Sequence, residues 1–346
     1  MADPASVIAD DPVIRMDPAP SERLRSIQVL RAAAAVLVVL FHLGLLQKGY
    51  IGVDIFFVIS GFIMGTIGIR ERAGQFLSRR LIRIVPLYWA VTLTMCGLSL
   101  VPGVMKSFDF ASGDLAKSLL FIPYFNAQGE IWPLVIPGWT LNFEMFFYAL
   151  FALGLLVGRP RVMAVAFLAA AVVAGTVWEV QDALYLTYTS PLLIEFVAGL
   201  LLSCISRRLS RLAALTVLLL GVASFLWSLG GPFPITEGGM RILFAGIPAA
   251  ILVGGAVAAE RADAWPRLAP VEFIGDTSYA LYLTHGLVLP IVARLLSPGF
   301  PAIAVGIAVS LIVAAVVYLG FERPVSRWLR SPRVTLTKIA RSPAKR

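Results

Sequence analysis

Apolar residues in this chain come in long unbroken runs, not in the alternating or 3.6-spaced patterns of soluble strands and helices. Such runs lie near 27–46, 50–69, 84–102, 138–158, 162–178, 189–206, 211–229, 240–259, 274–296 and 301–320. Each is long enough, at 1.5 Å per residue, to cross a hydrocarbon core about 30 Å thick. The pattern therefore predicts an all-α, polytopic transmembrane helix bundle of about ten spans. The fourth and fifth runs are parted only by Gly158-Arg159-Pro160-Arg161. Between the third and fourth lies one long loop, 103–137, whose amphipathic stretch 114–125 fits the membrane interface better than its interior.

Composition agrees. Of 346 residues, 59% are hydrophobic and 14% charged, against about 25% charged in an ordinary soluble domain. With a mean hydropathy of +0.86, the chain lacks the polar surface a water-soluble globule needs, so lipid is its main solvent. The formal charge of +9, from 29 Lys+Arg against 20 Asp+Glu, first suggests a nucleic-acid partner. The position of the charges excludes it. With the N-terminus placed in the cytoplasm, 23 of the 29 basic residues fall in segments on that side, five fall opposite, and Arg31 lies within the first run. That asymmetry is the positive-inside rule and gives an N-in, C-in orientation.

Residues 1–22, with four prolines and five acidic side chains, read as a disordered cytoplasmic leader. The first run is too long for a cleavable signal and lacks a small-residue cleavage site. The membrane domain then occupies 23–330, and 331–346 form a basic cytoplasmic tail. Cys96 and Cys204 both sit in apolar runs, too few for a disulfide framework or a metal site, so no metal is expected.

Ionisable side chains inside the runs cost a few kcal/mol each at the bilayer centre and call for a partner, an aqueous cavity or a chemical task. These are Arg31, His42, Asp54, Glu144, Glu195 and His285. His42 and Asp54 stand six residues either side of Lys48, in the tight turn joining the first two runs, so they lie at one depth. Glu144 and Glu195 reach a similar level, roughly 9 Å below the extracytoplasmic face. Arg31 precedes His42 by eleven residues, close to three turns and about 16 Å. One face of the first helix thus carries a cation near its inner end and a titratable base near its outer end. Between the second and third runs, Arg80 and Arg83 share a face of a predicted short helix that Pro86 ends or bends, with Tyr88 and Trp89 at headgroup level. Paired guanidiniums beside aromatics suit phosphates and an adenine ring.

Taken in order, these segments resemble the membrane acyltransferase-3 family, in particular its exopolysaccharide O-acetyltransferase type. The likeness runs from about 26 to 330. It rests on Arg31 with ten residues to His42, on Gly49-Tyr50-Ile51-Gly52-Val53-Asp54 continuing to Phe62, and on Arg80-Leu-Ile-Arg83-Ile-Val-Pro86-Leu-Tyr88-Trp89. It also rests on Trp139-Thr140-Leu141-Asn142-Phe143-Glu144 through Tyr148, Ser278-Tyr279 through Tyr282 to His285, and Phe321-Glu322-Arg323-Pro324. The resemblance implies a multi-pass enzyme of a bacterial inner membrane that moves an acyl group, usually acetyl, from cytoplasmic acyl-CoA to a hydroxyl of a cell-surface or exported polysaccharide or its lipid-linked precursor. It marks Arg31 and His42 as essential and the Arg80/Arg83 pair as donor-binding. Many members carry two consecutive carboxylates where this chain has Glu144 followed by Met145. The chain stops at 346, so a stand-alone transferase without a fused extracytoplasmic domain is expected.

Joined to the topology, this gives a mechanism. Arg31, Arg80 and Arg83 would hold the CoA phosphates, with Tyr88 and His285 also on the donor's path. His42 would act as general base on the acceptor hydroxyl, or else carry the acyl group covalently. Asp54 would fix the His42 tautomer, and Glu144 would bind the acceptor sugar or share that duty. Partners are acyl-CoA, a glycan, the lipid bilayer and polysaccharide biosynthesis or export machinery. The rival reading is a non-catalytic transporter or flippase of a glycan or lipid. Against it, 162–320 shows no repeat of 27–158.

Overall fold

A computed structural model describes residues 24–101, 110–205, 208–235 and 238–331. The proposed leader, and the tail beyond Ser331, lie outside the described residues. Among the described residues the chain is helical throughout and contains ten helices long and apolar enough to cross a membrane. The helices in chain order, short connecting ones included, are α1 (Arg25–His42), α2 (Gly52–Thr66, extended at both ends by 3-10 turns), α3 (Ala73–Ser99), a short α4 (Ser112–Leu119), α5 (Trp139–Leu156) and α6 (Pro160–Val177). They continue with α7 (Ala183–Tyr188) leading into α8 (Leu193–Cys204), then α9 (Arg211–Gly230) and α10 (Gly239–Arg241). A π turn (Ile242–Gly246) joins α10 to α11 (Ile247–Arg261), followed by a short α12 (Ala269–Asp276), α13 (Ser278–Leu295), α14 (Phe300–Val317) and, through a second π turn (Tyr318–Glu322), α15 (Arg323–Arg330).

The number and order of spans are those the apolar runs predict. Two extents differ. The third span starts at Ala73 instead of about 84, and it runs unbroken through Pro86. Its first three turns carry Arg79, Arg80 and Arg83, whose charges mask a helix already under way. The last span likewise continues past 320 to Arg330.

The membrane pattern is central versus peripheral. In α2, 78% of the span window is buried inside the protein, against 11% in α6 and 17% in the last span. α2 is therefore the core helix, and the other two turn most of their side chains to lipid. It packs on α1, α5, α8 and α11. The closest crossing, with α8, is made possible by two glycines: a Cβ at Gly61 would collide with the Phe196 carbonyl oxygen, and one at Gly199 with that of Val58. Small residues at a crossing are the usual means of helix association where apolar burial alone gives no drive. Phe57, Phe147, Phe151 and Phe196, all fully buried, fill the remaining space. α1 is tied at its start by Glu260 of α11, whose carboxylate accepts from the backbone N–H groups of Arg25 and Ser26 at 2.9 and 2.8 Å. Those orphan donors of a helix N-terminus are thereby satisfied at a distance of more than two hundred residues.

Candidate functional site

Two groups of polar side chains stand on α1, one at each end of the bundle. At the arginine-rich end, Arg31 is buried, and its Nε and Nη2 donate to Ser278 Oγ at 3.2 and 3.0 Å. It lines a cavity with Arg83, Glu144, Tyr148, Ser60 and Tyr279. Tyr148 Oη donates to Glu144 Oε2 at 2.7 Å and lies 3.4 Å from Ser60 Oγ. Glu322, delivered by the second π turn, faces Arg31 and Arg83 closely enough to interact with both. π turns shift the phase of a helix locally and often serve sites in this way. The cavity gives about 70 Å³ to water-sized occupants. It is narrow but long, since its α2 wall runs from Met64 to Val53, about 16 Å.

Tyr282 also lines that cavity, and next to it stands the second group. The Tyr282 ring is 6.1 Å from His285, and the His285 ring is 4.8 Å from His42 in an edge-on arrangement. Arg31 and His42 therefore both face α13, as the eleven-residue spacing requires. The tautomers follow from the backbone. His42 Nδ1 is 2.9 Å from the Val38 carbonyl oxygen and His285 Nδ1 is 3.2 Å from that of Leu281. A carbonyl only accepts, so each Nδ1 carries the proton and each Nε2 offers a lone pair. His285 is fully buried, and its Nε2 has no hydrogen-bond partner. His42 is exposed.

The expected partnership of His42 with Asp54 is not formed. Asp54 is fully buried and faces α8 and α10, where Arg241 Nε and Nη2 donate to its two oxygens at 3.2 and 3.0 Å. Glu195 joins them, close to both Asp54 and Arg241, and both its oxygens lack a hydrogen-bond partner. Equal depth thus did not mean one cluster: Asp54 and Glu195 share a layer with Arg241, while Glu144 turns into the inner cavity and His42 goes to His285. Depth follows from counting residues, but azimuth depends on how α2 and α5 rotate against their neighbours.

The arginine pair also divides. Arg83 lines the cavity. Arg80 is buried, donates to Glu71 Oε1 at 3.2 Å and lies over the Phe76 ring at 5.3 Å. Its charge is already matched. Tyr88 does not sit at headgroup level beside a nucleotide: it is 1% exposed and packs on Phe121 of the 110–135 loop at 4.9 Å. Tyr88 is a core residue under that loop, whereas Trp89 is exposed and donates its indole N–H to the Leu119 carbonyl oxygen at 2.8 Å. Ser278, Tyr148, Tyr282 and Glu322 complete the two groups on α1, and Arg241 completes a third, with Asp54 and Glu195. The first four lie in segments that carry the family likeness, whereas Arg241 reads in the sequence as an ordinary loop charge.

The family model described as an acyltransferase domain matches residues 24–319. Among curated proteins, the exopolysaccharide production protein ExoZ of Rhizobium meliloti (strain 1021) is 38% identical over 299 residues, covering 83% of this chain and 92% of its own. The putative membrane-bound transacylase BcsY of Komagataeibacter xylinus is 30% identical, covering 79% and 75%. The putative peptidoglycan O-acetyltransferase YrhL of Bacillus subtilis (strain 168) is 28% identical, covering 86% of this chain and 54% of its own. No solved structure matches the chain. With the family model spanning nearly all of the membrane bundle, and with a relative 38% identical over most of both chains, the chain belongs to the acyltransferase-3 family and is a multi-pass membrane acyltransferase.

Proposed function

We propose that the enzyme transfers an acyl group, acetyl in the first instance, from cytoplasmic acyl-CoA to a hydroxyl of an exported polysaccharide or its lipid-linked precursor. The observation that carries this reading is the path along α1. Arg31 and Arg83, which face Glu144 and Glu322, line a narrow cavity that also includes Tyr282, and the His42–His285 pair lies next to Tyr282. The relatives named for exopolysaccharide production and O-acetyl transfer supply the acceptor class.

In this reading the CoA phosphates bind at Arg83 and Arg31, and the pantetheine arm lies along α2 with the thioester at Tyr282. His42 Nε2 takes the proton of the acceptor hydroxyl as its oxygen bonds to the thioester carbon. The C–S bond then breaks, and the proton passes from the imidazolium to the departing thiolate. An acyl-His42 intermediate would use the same lone pair. His285 packs against the ring that must take the proton. Glu144, bonded to Tyr148 on the donor path, acts on donor placement, and Asp54 serves through Arg241. The N-in, C-in orientation of a bacterial inner membrane protein, supported by the basic-residue asymmetry, puts the Arg31 and Arg83 end of the cavity where acyl-CoA is made.

Membrane vesicles charged with radiolabelled acetyl-CoA test this. General-base catalysis is worth typically 10²–10⁴-fold, so His42→Ala should reduce label transfer to glycan by about that factor. Undiminished transfer by His42→Ala would remove the catalytic assignment. A thiol probe reaching a cysteine at position 159 only from outside the cell would reverse the orientation.

A further inference from the structure

A second cavity, of about 740 Å³, opens at the end of the bundle away from the arginine cluster, between the 125–132 loop, the first turn of α5, α7 and α10. Nothing in the donor path uses it. Its size falls within the range of roughly 300–1,000 Å³ typical of small-molecule sites. Trp132 and Trp139 give it aromatic surface, Asn142, Thr187 and Ser190 give it amide and hydroxyl groups, and its charged wall residues are Arg241 and Glu130, the latter repelling an anionic sugar. Flat aromatic faces beside short neutral hydrogen-bonding groups are what a sugar ring requires, with its C–H faces on one side and hydroxyls at the edge.

Two observations narrow the ligand. The Arg241 guanidinium is already engaged by both oxygens of Asp54, and Glu195 lies behind that pair, so the wall offers no surplus positive charge to a carboxylated sugar. His42 does not line the cavity, yet a continuous run of rings connects them. Arg241 lies 6.0 Å from the Trp139 ring and 5.5 Å from that of Tyr50, Tyr50 lies 5.4 Å from Phe41, and Phe41 lies 5.0 Å from His42. A ligand seated in the cavity is therefore beside the reacting centre, not at it.

We infer that this cavity is an acceptor subsite that binds an uncharged sugar residue neighbouring the one to be acylated, so that the enzyme selects an oligosaccharide chain over a free monosaccharide. The inference rests on the acyl-transfer reading above. It is tested by equilibrium binding to the full chain in lipid nanodiscs, without donor, using cellotetraose, glucose and tetragalacturonate as probes. Cellotetraose should saturate the protein at least about tenfold more tightly than either of the others. Trp132, 41% exposed at the cavity rim, offers a ring face to a sugar; Trp132→Ala should weaken binding up to about tenfold, the worth of one ring contact, and Trp132→Phe should recover part of the loss. Trp328→Ala, at the opposite end of the bundle, should leave binding unchanged. Absence of saturable cellotetraose binding, equal binding of glucose, tighter binding of tetragalacturonate, or indifference to Trp132→Ala would each overturn the inference. Because CoA release from acetyl-CoA is measured separately, failure of the subsite and failure of the transfer reaction give different results.

Discussion

Asp54→Asn tests the pairing that the structure substitutes for the expected one. The change keeps the side-chain volume and removes the charge that faces Arg241, whose side chain is 13% exposed while that of Asp54 is wholly buried. Two unit charges about 4 Å apart attract by about 4 kcal/mol at an effective dielectric near 20. Breaking a buried pair by removing one partner costs about 3–5 kcal/mol when the other charge is left uncompensated; Glu195 stays close to Arg241, so the lower end, about 3 kcal/mol, applies. The contacts of Arg241 with Tyr50 and Trp139 remain and offset about 0.5–1 kcal/mol of that. At roughly 2 °C per kcal/mol for a chain of this size, the remaining ~2–2.5 kcal/mol means that Asp54→Asn should lower the apparent melting temperature by roughly 4–5 °C. Adding Arg241→Gln should restore most of the loss, since a neutral pair of similar shape carries no stranded charge. The assay is thermal unfolding of both single variants and the double variant in nanodiscs, with acetyl-CoA turnover measured alongside. If Asp54 instead served His42 directly, Arg241→Gln would rescue neither stability nor turnover, and the reasoning would be refuted.

The two arginines should separate. Arg83→Ala is expected to raise the KM for acyl-CoA about 10- to 100-fold, the worth of a charged hydrogen bond, whereas Arg80→Ala should cost about 1–3 kcal/mol of stability by depriving Glu71 of its closer partner; steady-state kinetics and thermal unfolding together distinguish them. At the α2–α8 crossing, Gly199→Ala forces the helices apart and should destabilise by about 1–3 kcal/mol, while Gly113→Ala, which meets no atom within 4 Å, should be neutral in the same melting assay.

The spans were legible because lipid imposes one rule on every residue of a run, and length then fixes the count. What reached beyond the runs was not: α3 begins three turns early, in a segment whose arginines look like a loop when each residue is judged by polarity alone. Within the site, relations along one helix held. Arg31 and His42 share a face because 3.6 residues per turn settles that without any neighbour. Relations between helices did not follow from depth. Asp54 could face α13 or α8, and the choice is made by Gly61 and Gly199, which draw α2 against α8 and carry Asp54 to Arg241. Tyr88 misled for a related reason: an aromatic near an assumed helix end suggests the interface, but with the helix starting at Ala73 the same residue lies deep inside.

The anchoring of α1 has a consequence in time. Its N-terminal amides are held by Glu260, Arg31 by Ser278, and His42 is set against His285, so α1 meets these three partners only after more than 230 further residues are made. At about 5–20 residues per second that is a delay of roughly 10–50 s. Throughout it, α1 resides in the bilayer with a cation and an imidazole that have no settled neighbours. α1 is thus made well before the residues that fix it, and a nascent chain truncated before α13 would contain every residue of α1 but neither Ser278 nor His285.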